Sequence, residues 1–132
     1  MKIEISLPLS VEIGTRTIKS KTLNLNYYRN WNRFDEAKIK KAYSSIVIGL
    51  MQKYRFQQAN IISLELVLYK GSNRRIDRSN ILSIHEKYLC DALVEMRFIK
   101  DDNDKYITET IYRTGGVDKK NPRVDLVITV IS

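Results

Sequence analysis

The sequence predicts a single α/β domain of the α+β kind, spanning residues 1–132, with a mixed β-sheet packed against two main helices. Three observations carry that prediction. Several short stretches alternate apolar and polar residues with the period of a strand, and two longer ones repeat apolar residues at spacings of three and four. These stretches follow the order strands, helix, strand, helix, strands. A chain of 132 residues is also long enough to bury about two-thirds of its unfolded surface around one core.

Residues 2–8 alternate as a strand does, and residues 15–26, TRTIKSKTLNLN, alternate again around Ile18, Leu23 and Leu25. The aromatic and basic stretch 27–34, YYRNWNRF, has no clear period and is read as a loop. From Asp35 the pattern turns helical, with Ile39, Tyr43, Ile46, Leu50 and Tyr54 on one stripe. Residues 60–69, NIISLELVLY, form a β-branched, apolar strand, and GSNRR after it is a loop. Residues 79–97 are helical, and 104–113 and 123–131 are strands. TGG and KKNP together read as the turn between those strands.

The second helix projects cleanly at 100° per residue. Leu82, His85, Leu89, Ala92, Leu93 and Met96 share one apolar face, which makes His85 a packed residue. Asn80, Lys87 and Asp91 share a narrow stripe opposite, with Lys87 and Asp91 about 20° to either side of Asn80. By itself that stripe is also what a solvated helix face looks like, with an i,i+4 Lys–Asp pair.

Composition narrows the function classes. No apolar run approaches the length of a membrane span. The start, MKIEISLPLSVEIG, reads as a strand instead of a secretion signal. Cys90 is the single cysteine, which excludes an internal disulfide and a cysteine-based zinc site and fits a reducing, intracellular setting. The formal net charge is +8, from 23 Lys+Arg and 15 Asp+Glu. Residues 15–56 hold ten basic residues against Asp35 and Glu36, so ten minus two accounts for a net +8. Such an excess fits either a polyanionic partner or a solvated basic face.

Residues 88–104 run the other way, with five acids against Arg97 and Lys100. RFIKDDND places Asp101, Asp102 and Asp104 within four positions. Like charges at about 4 Å repel by roughly 1 kcal/mol in bulk water and about 4 at an effective dielectric near 20. The cluster is therefore either a solvated turn or a place for a cation. An EF-hand is excluded: counting from Asp102, the sixth position is Ile107 and the twelfth Arg113, where that loop needs Gly and Glu.

Taken together, residues 74–104, RRIDRSNILSIHEKYLCDALVEMRFIKDDND, resemble the RusA family of Holliday-junction resolvases, small homodimeric endonucleases frequent in phages and prophages. The family carries basic residues, then D-x-D-N, a lysine, D-A-L four residues on, and a D-D pair ten residues later. The counterparts are Arg74-Arg75, Asp77, Asn80, Lys87, Asp91-Ala92-Leu93 and Asp101-Asp102. Asn26-Tyr27-Tyr28-Arg29 and the closing RVDLVITV after Lys119-Lys120 extend the resemblance over most of the chain. The chain departs from the pattern in two places. Ser79 stands where the family has its second Asp. Asn80 and Lys87 are seven residues apart instead of three, one extra helical turn that returns Lys87 to nearly the same face.

The resemblance implies a homodimeric endodeoxyribonuclease that resolves four-way junctions or other branched DNA by paired nicks, dependent on Mg²⁺ or Mn²⁺. It makes Asp77 and Asp102 the main metal ligands, with Asp91 and Asp101 assisting by ligation or hydrogen bonding. Lys87 would stabilise charge on the phosphate in the transition state. Arg74, Arg75 and Arg78 would grip the scissile phosphate. Tyr27, Tyr28, Arg29, Lys19 and Lys21 would contact DNA, the tyrosines by stacking on bases, although they suit packing against the sheet or a second subunit equally well. The implied setting is the cytoplasm of a bacterial host, with no membrane association. The alternative is a non-catalytic module of the same fold that binds branched or single-stranded DNA, which Ser79 favours.

Overall fold

The computed structural model describes residues 1–132. Its strands are β1 (Lys2–Leu7), β2 (Ser10–Ile13), β3 (Lys19–Thr22), β4 (Ile62–Lys70), β5 (Ile107–Val117) and β6 (Arg123–Val130). Its helices are α1 (Leu25–Tyr28), α2 (Arg33–Met51) and α3 (Arg78–Glu95). A four-stranded mixed sheet has the order β1-β6-β4-β5, with β4 and β5 parallel and the other pairs antiparallel; β2 and β3 form a separate hairpin. The result is one mixed α/β domain, as the periodicities predict.

One face of the main sheet is the core. Alternate residues of β1, β4 and β6 (Ile3, Ile5 and Leu7; Ile62, Leu64, Leu66 and Leu68; Val124, Leu126 and Ile128) are buried, and their neighbours face outward. α2 meets that layer with Ile39, Tyr43, Val47 and Met51, and α3 with Leu82, His85, Leu89, Ala92 and Leu93. His85 is fully buried, and its Nδ1 shares a 2.9 Å hydrogen bond with the Tyr43 hydroxyl. Burial lowers the His85 pKa to about 3, which keeps the ring neutral. No helix is long and apolar enough to cross a membrane.

The helix ends follow from capping chemistry. Asn32 caps α2 by accepting the Asp35 N–H at 2.8 Å, and Asp35 and Glu36 stand in the positive first turn. Asp77 caps α3 by accepting the Ser79 N–H at 3.0 Å. α3 ends in a Schellman motif: Phe98 N–H bonds Leu93 O at 2.9 Å, Arg97 N–H bonds Val94 O at 3.0 Å, and Arg97 takes φ 61°. Phe98, fully buried, anchors that turn and aims the chain into Asp101 and Asp102.

Several boundaries differ from expectation. The stretch 27–34 is a loop only over 29–32: Asn24 caps α1 by accepting the Tyr27 N–H, so α1 runs to Tyr28, and α2 starts at Arg33. α2 stops at Met51, and Tyr54 lies beyond it, its hydroxyl bonded to the backbone of Glu4 on β1. Within 15–26 only Lys19–Thr22 is strand, because Val11 and Ile13 bury themselves as β2 and fold the chain into a hairpin after Gly14. TGG is not a turn. β5 runs through Thr114, Gly115 and Gly116, and the chain turns over Asp118–Pro122. Gly115 is required there by close approach, since a Cβ would lie 2.6 Å from Tyr69 Cζ and 2.8 Å from Val67 Cγ1.

Candidate active site and nucleic-acid interface

The C-terminal end of α3 and the turn after it gather acid in one place. Asp91, Glu95, Asp101 and Asp102, with Lys40 of α2 and Val94, line an open recess of about 420 Å³. Asp91 and Glu95 are one turn apart on the same helix face, which is why both reach it. Lys40 Nζ lies 3.4 Å from Asp91 Oδ2. Glu95 Oε2 accepts from Ser44 Oγ of α2 at 2.8 Å. Asp101 turns both oxygens onto its own loop, accepting from the Asp102 N–H at 2.8 Å and the Asn103 side-chain amide at 3.2 Å. The Asp102 carboxylate takes part in no hydrogen bond or ion pair and is exposed.

The charge of Asp102 is also felt on α3. The Cys90 thiol is pushed up to about 12, by burial first and then by the negative charges of Glu86, Asp102 and Asp91. Cys90 is buried and free, so it is a packed thiol held in its protonated form.

Asp77 is elsewhere. It is the N-cap of α3, and most of that helix, up to Asp91, separates it from the acidic recess. At 1.5 Å per residue, Asp77 and Asp91 are about 21 Å apart along the helix axis. Within one chain, α3 therefore holds Asp77 apart from Asp101 and Asp102, the other carboxylates expected to hold a metal with it. Arg74, Arg75 and Arg78 are exposed and accompany Asp77, with Arg78 Nη1 donating to Thr114 Oγ1 of β5 at 3.0 Å. Lys87 is exposed midway along the same helix, outside the recess.

Lys19, Lys21, Tyr27, Tyr28 and Arg29 lie around the β2–β3 hairpin and α1. Lys21, Tyr27, Asn30 and Trp31 line an open recess of about 340 Å³, and Lys21 pairs with Asp35 at 3.5 Å. Tyr27 is 55% exposed, whereas Tyr28 is half-buried with its ring edge-on to Trp31. Tyr27 is thus free to stack on a ligand, and Tyr28 is committed to packing.

For a metal, the donor chemistry fits and the geometry is incomplete. Carboxylate oxygens suit a hard divalent cation such as Mg²⁺ or Mn²⁺, which keeps several waters and needs one or two carboxylates. However, no three His, Cys, Asp or Glu side chains of one chain converge closely enough to hold an ion. Lys40 and Ser44 of α2, which reaches the recess through tertiary packing, and Glu95 of α3 escaped the sequence reading. The i+4 spacing of Glu95 from Asp91 was the available signal for one of them.

Compared with known protein families, the chain matches no family model, and no curated protein matches it.

Proposed function

We propose that the chain is a metal-dependent, structure-selective endonuclease acting on branched DNA as a homodimer. The observation that carries this reading is the acidic recess formed by Asp91, Asp101 and Asp102 on a chain of net charge +8. A strongly basic molecule that holds carboxylates together at one spot is suited to binding a polyanion and placing a cation against it. The order of residues shared with the RusA-type resolvases supports the same chemistry.

Asp101 and Asp102 would hold Mg²⁺ or Mn²⁺, with Asp91 beside them once Lys40 yields. The ion, when bound, supplies a water activated for attack and relief of charge on the phosphoryl oxygens. The separation of Asp77 from Asp102 adds a requirement: a site that uses both draws them from two chains. Asp77 with Arg74, Arg75 and Arg78 would then be one protomer's contribution, positioning and gripping the phosphate at the other's acidic turn. Lys19, Lys21 and Tyr27 extend the DNA-binding surface. Two such sites related by a two-fold axis match the paired strands of a four-way junction.

A second reading has its own observation. Within one chain no three ligands converge, and Ser79 replaces a carboxylate at the start of α3. A module that binds branched DNA without cutting it fits those facts.

The test is nicking of a synthetic four-way junction with Mg²⁺, with Mn²⁺ and with EDTA, against a linear duplex of the same sequence. Metal-dependent paired nicks that Asp102→Asn abolishes are the expected result. Tight junction binding without cleavage in either metal would establish the binding module instead.

A further inference from the structure

We infer that two copies of this chain join edge to edge through β5, antiparallel about a two-fold axis at Ile111, to make one continuous eight-stranded sheet. The inference deepens the dimeric reading above and rests on it for the meaning of the acidic sites, but its geometry stands on β5 alone.

The two edges of the four-stranded sheet are treated differently. On β1 the Tyr54 hydroxyl occupies the outward backbone of Glu4, accepting from its N–H at 3.2 Å and donating to its carbonyl at 2.8 Å. β5, at the other edge, is eleven residues long and pairs with β4 alone. Edge strands of monomers are usually short or broken by Pro, Lys or a bulge. β5 contains neither Pro nor Lys, and its two irregularities of register lie near its ends, leaving 109–114 regular.

The charges of β5 select a partner and a register. Glu109, Ile111 and Arg113 share the face of the sheet away from the helices, in line with Ser63, Glu65 and Val67 of β4. An antiparallel pair centred on Ile111 sets Glu109 opposite the partner subunit's Arg113 and Arg113 opposite the partner subunit's Glu109. Both cross-strand pairs are then of opposite charge. A centre at Glu109 or at Arg113 would set like charges face to face. Glu65 already holds Arg113 Nε at 2.8 Å, and the guanidinium has further N–H groups for a second carboxylate.

The same register arranges the helices. α3 lies over both β4 and β5 and is tied to β5 by the Arg78–Thr114 bond and by contact of the Tyr112 hydroxyl with Glu86. A two-fold axis perpendicular to the sheet at Ile111 lays the two α3 helices antiparallel on one face. With strands about 4.8 Å apart, their axes fall about 10 Å apart, an ordinary packing distance. Thr114, which holds Arg78, falls opposite the partner subunit's Thr108, just after its acidic turn. Asp77 of each protomer is thereby brought level with Asp101 and Asp102 of the partner subunit.

The test uses the full chain with Ile111→Cys and Cys90→Ala. A residue on the two-fold axis of an antiparallel pair meets its own copy at a Cα separation of about 4.5–5.5 Å, within disulfide range. Mild oxidation should therefore link most chains into dimers on a non-reducing gel, while Ile18→Cys, on the exposed hairpin, stays unlinked. In sedimentation with Cys90 in place, Glu109→Arg or Arg113→Glu should each weaken dimerisation at least tenfold, and the double exchange should restore it. A monomeric wild-type chain, or a dimer that Ile111→Cys does not link, overturns the inference. The outcomes separate from those for the nuclease: a linked dimer that never nicks junctions keeps this interface and removes the activity. Nicking by a chain that does not link through position 111 does the reverse.

Discussion

The ammonium of Lys40, on α2, lies 3.4 Å from Oδ2 of Asp91, on α3, at the recess where Asp101 and Asp102 also stand. A lysine thus supplies the one positive charge of an otherwise acidic recess. The Lys40 side chain is 52% exposed, so the pair contributes little to stability, at most about 1 kcal/mol. Its effect should be felt in cation binding. Lys40→Gln is expected to lower the Mn²⁺ concentration that half-saturates the protein in calorimetric titration, with the melting temperature nearly unchanged. Weaker Mn²⁺ binding in the variant would show that Lys40 is not the ion's competitor.

Asp77 has a structural role and a proposed chemical one, and two substitutions part them. Asp77→Ala removes the α3 cap and should cost about 1 kcal/mol in urea unfolding. Asp77→Asn keeps an oxygen for the Ser79 N–H and should unfold like the wild type. Under the proposed function Asp77→Asn nevertheless loses junction nicking. A variant with intact stability and intact nicking would reduce Asp77 to its cap.

The buried His85 makes stability depend on pH. Burial depresses its folded-state pKa to about 3, below the ordinary value of 6.5, so the folded protein keeps the ring neutral while the unfolded chain protonates it. Its contribution is fully present above pH 6.5 and is lost as pH falls toward 3, on the order of 1 kcal/mol per pH unit. His85→Gln, which cannot titrate, should flatten the fall of the urea midpoint between pH 6 and 4. An unchanged slope would place the responsible proton elsewhere.

Arg97 is the one non-glycine residue with positive φ, at 61°, at the Schellman position that ends α3. Glycine is the residue that this conformation favours. Arg97→Gly is expected to raise stability by up to about 1 kcal/mol in thermal unfolding, since the left-handed conformation costs other residues roughly that much. A loss of stability would mean that the Arg97 side chain contributes more than its backbone costs.

Much of the architecture was legible because it is periodic. β1, β4, β6 and the buried face of α3 follow from alternation and from 3.6-residue spacing, and Asp91 and Glu95 share a face for the same reason. What escaped was set by contacts distant in sequence. Glycines 115 and 116 look like a turn, and only the ring of Tyr69 beneath Gly115 explains why a strand carries them. Lys40 enters the acidic recess from α2 without any local signature. The order and spacing of the motif from Asp77 to Asp102 point to one site through the resemblance to a family. Between them runs α3, a continuous helix of 18 residues, so motif residues that are near in sequence are separated in space.

The most direct test of a shared, metal-dependent site is to mix two inactive chains. Asp77→Asn and Asp102→Asn proteins, each unable to nick a four-way junction in Mn²⁺, are combined, allowed to exchange subunits, and assayed again. Mixed dimers then hold one wild-type pair of Asp77 and Asp102 from opposite chains, so nicking should return to about a quarter of the wild-type level, as single nicks. No recovery from the mixture, while the wild type nicks the junction, would contradict a site built from two chains. A wild type that never nicks would contradict the nuclease itself.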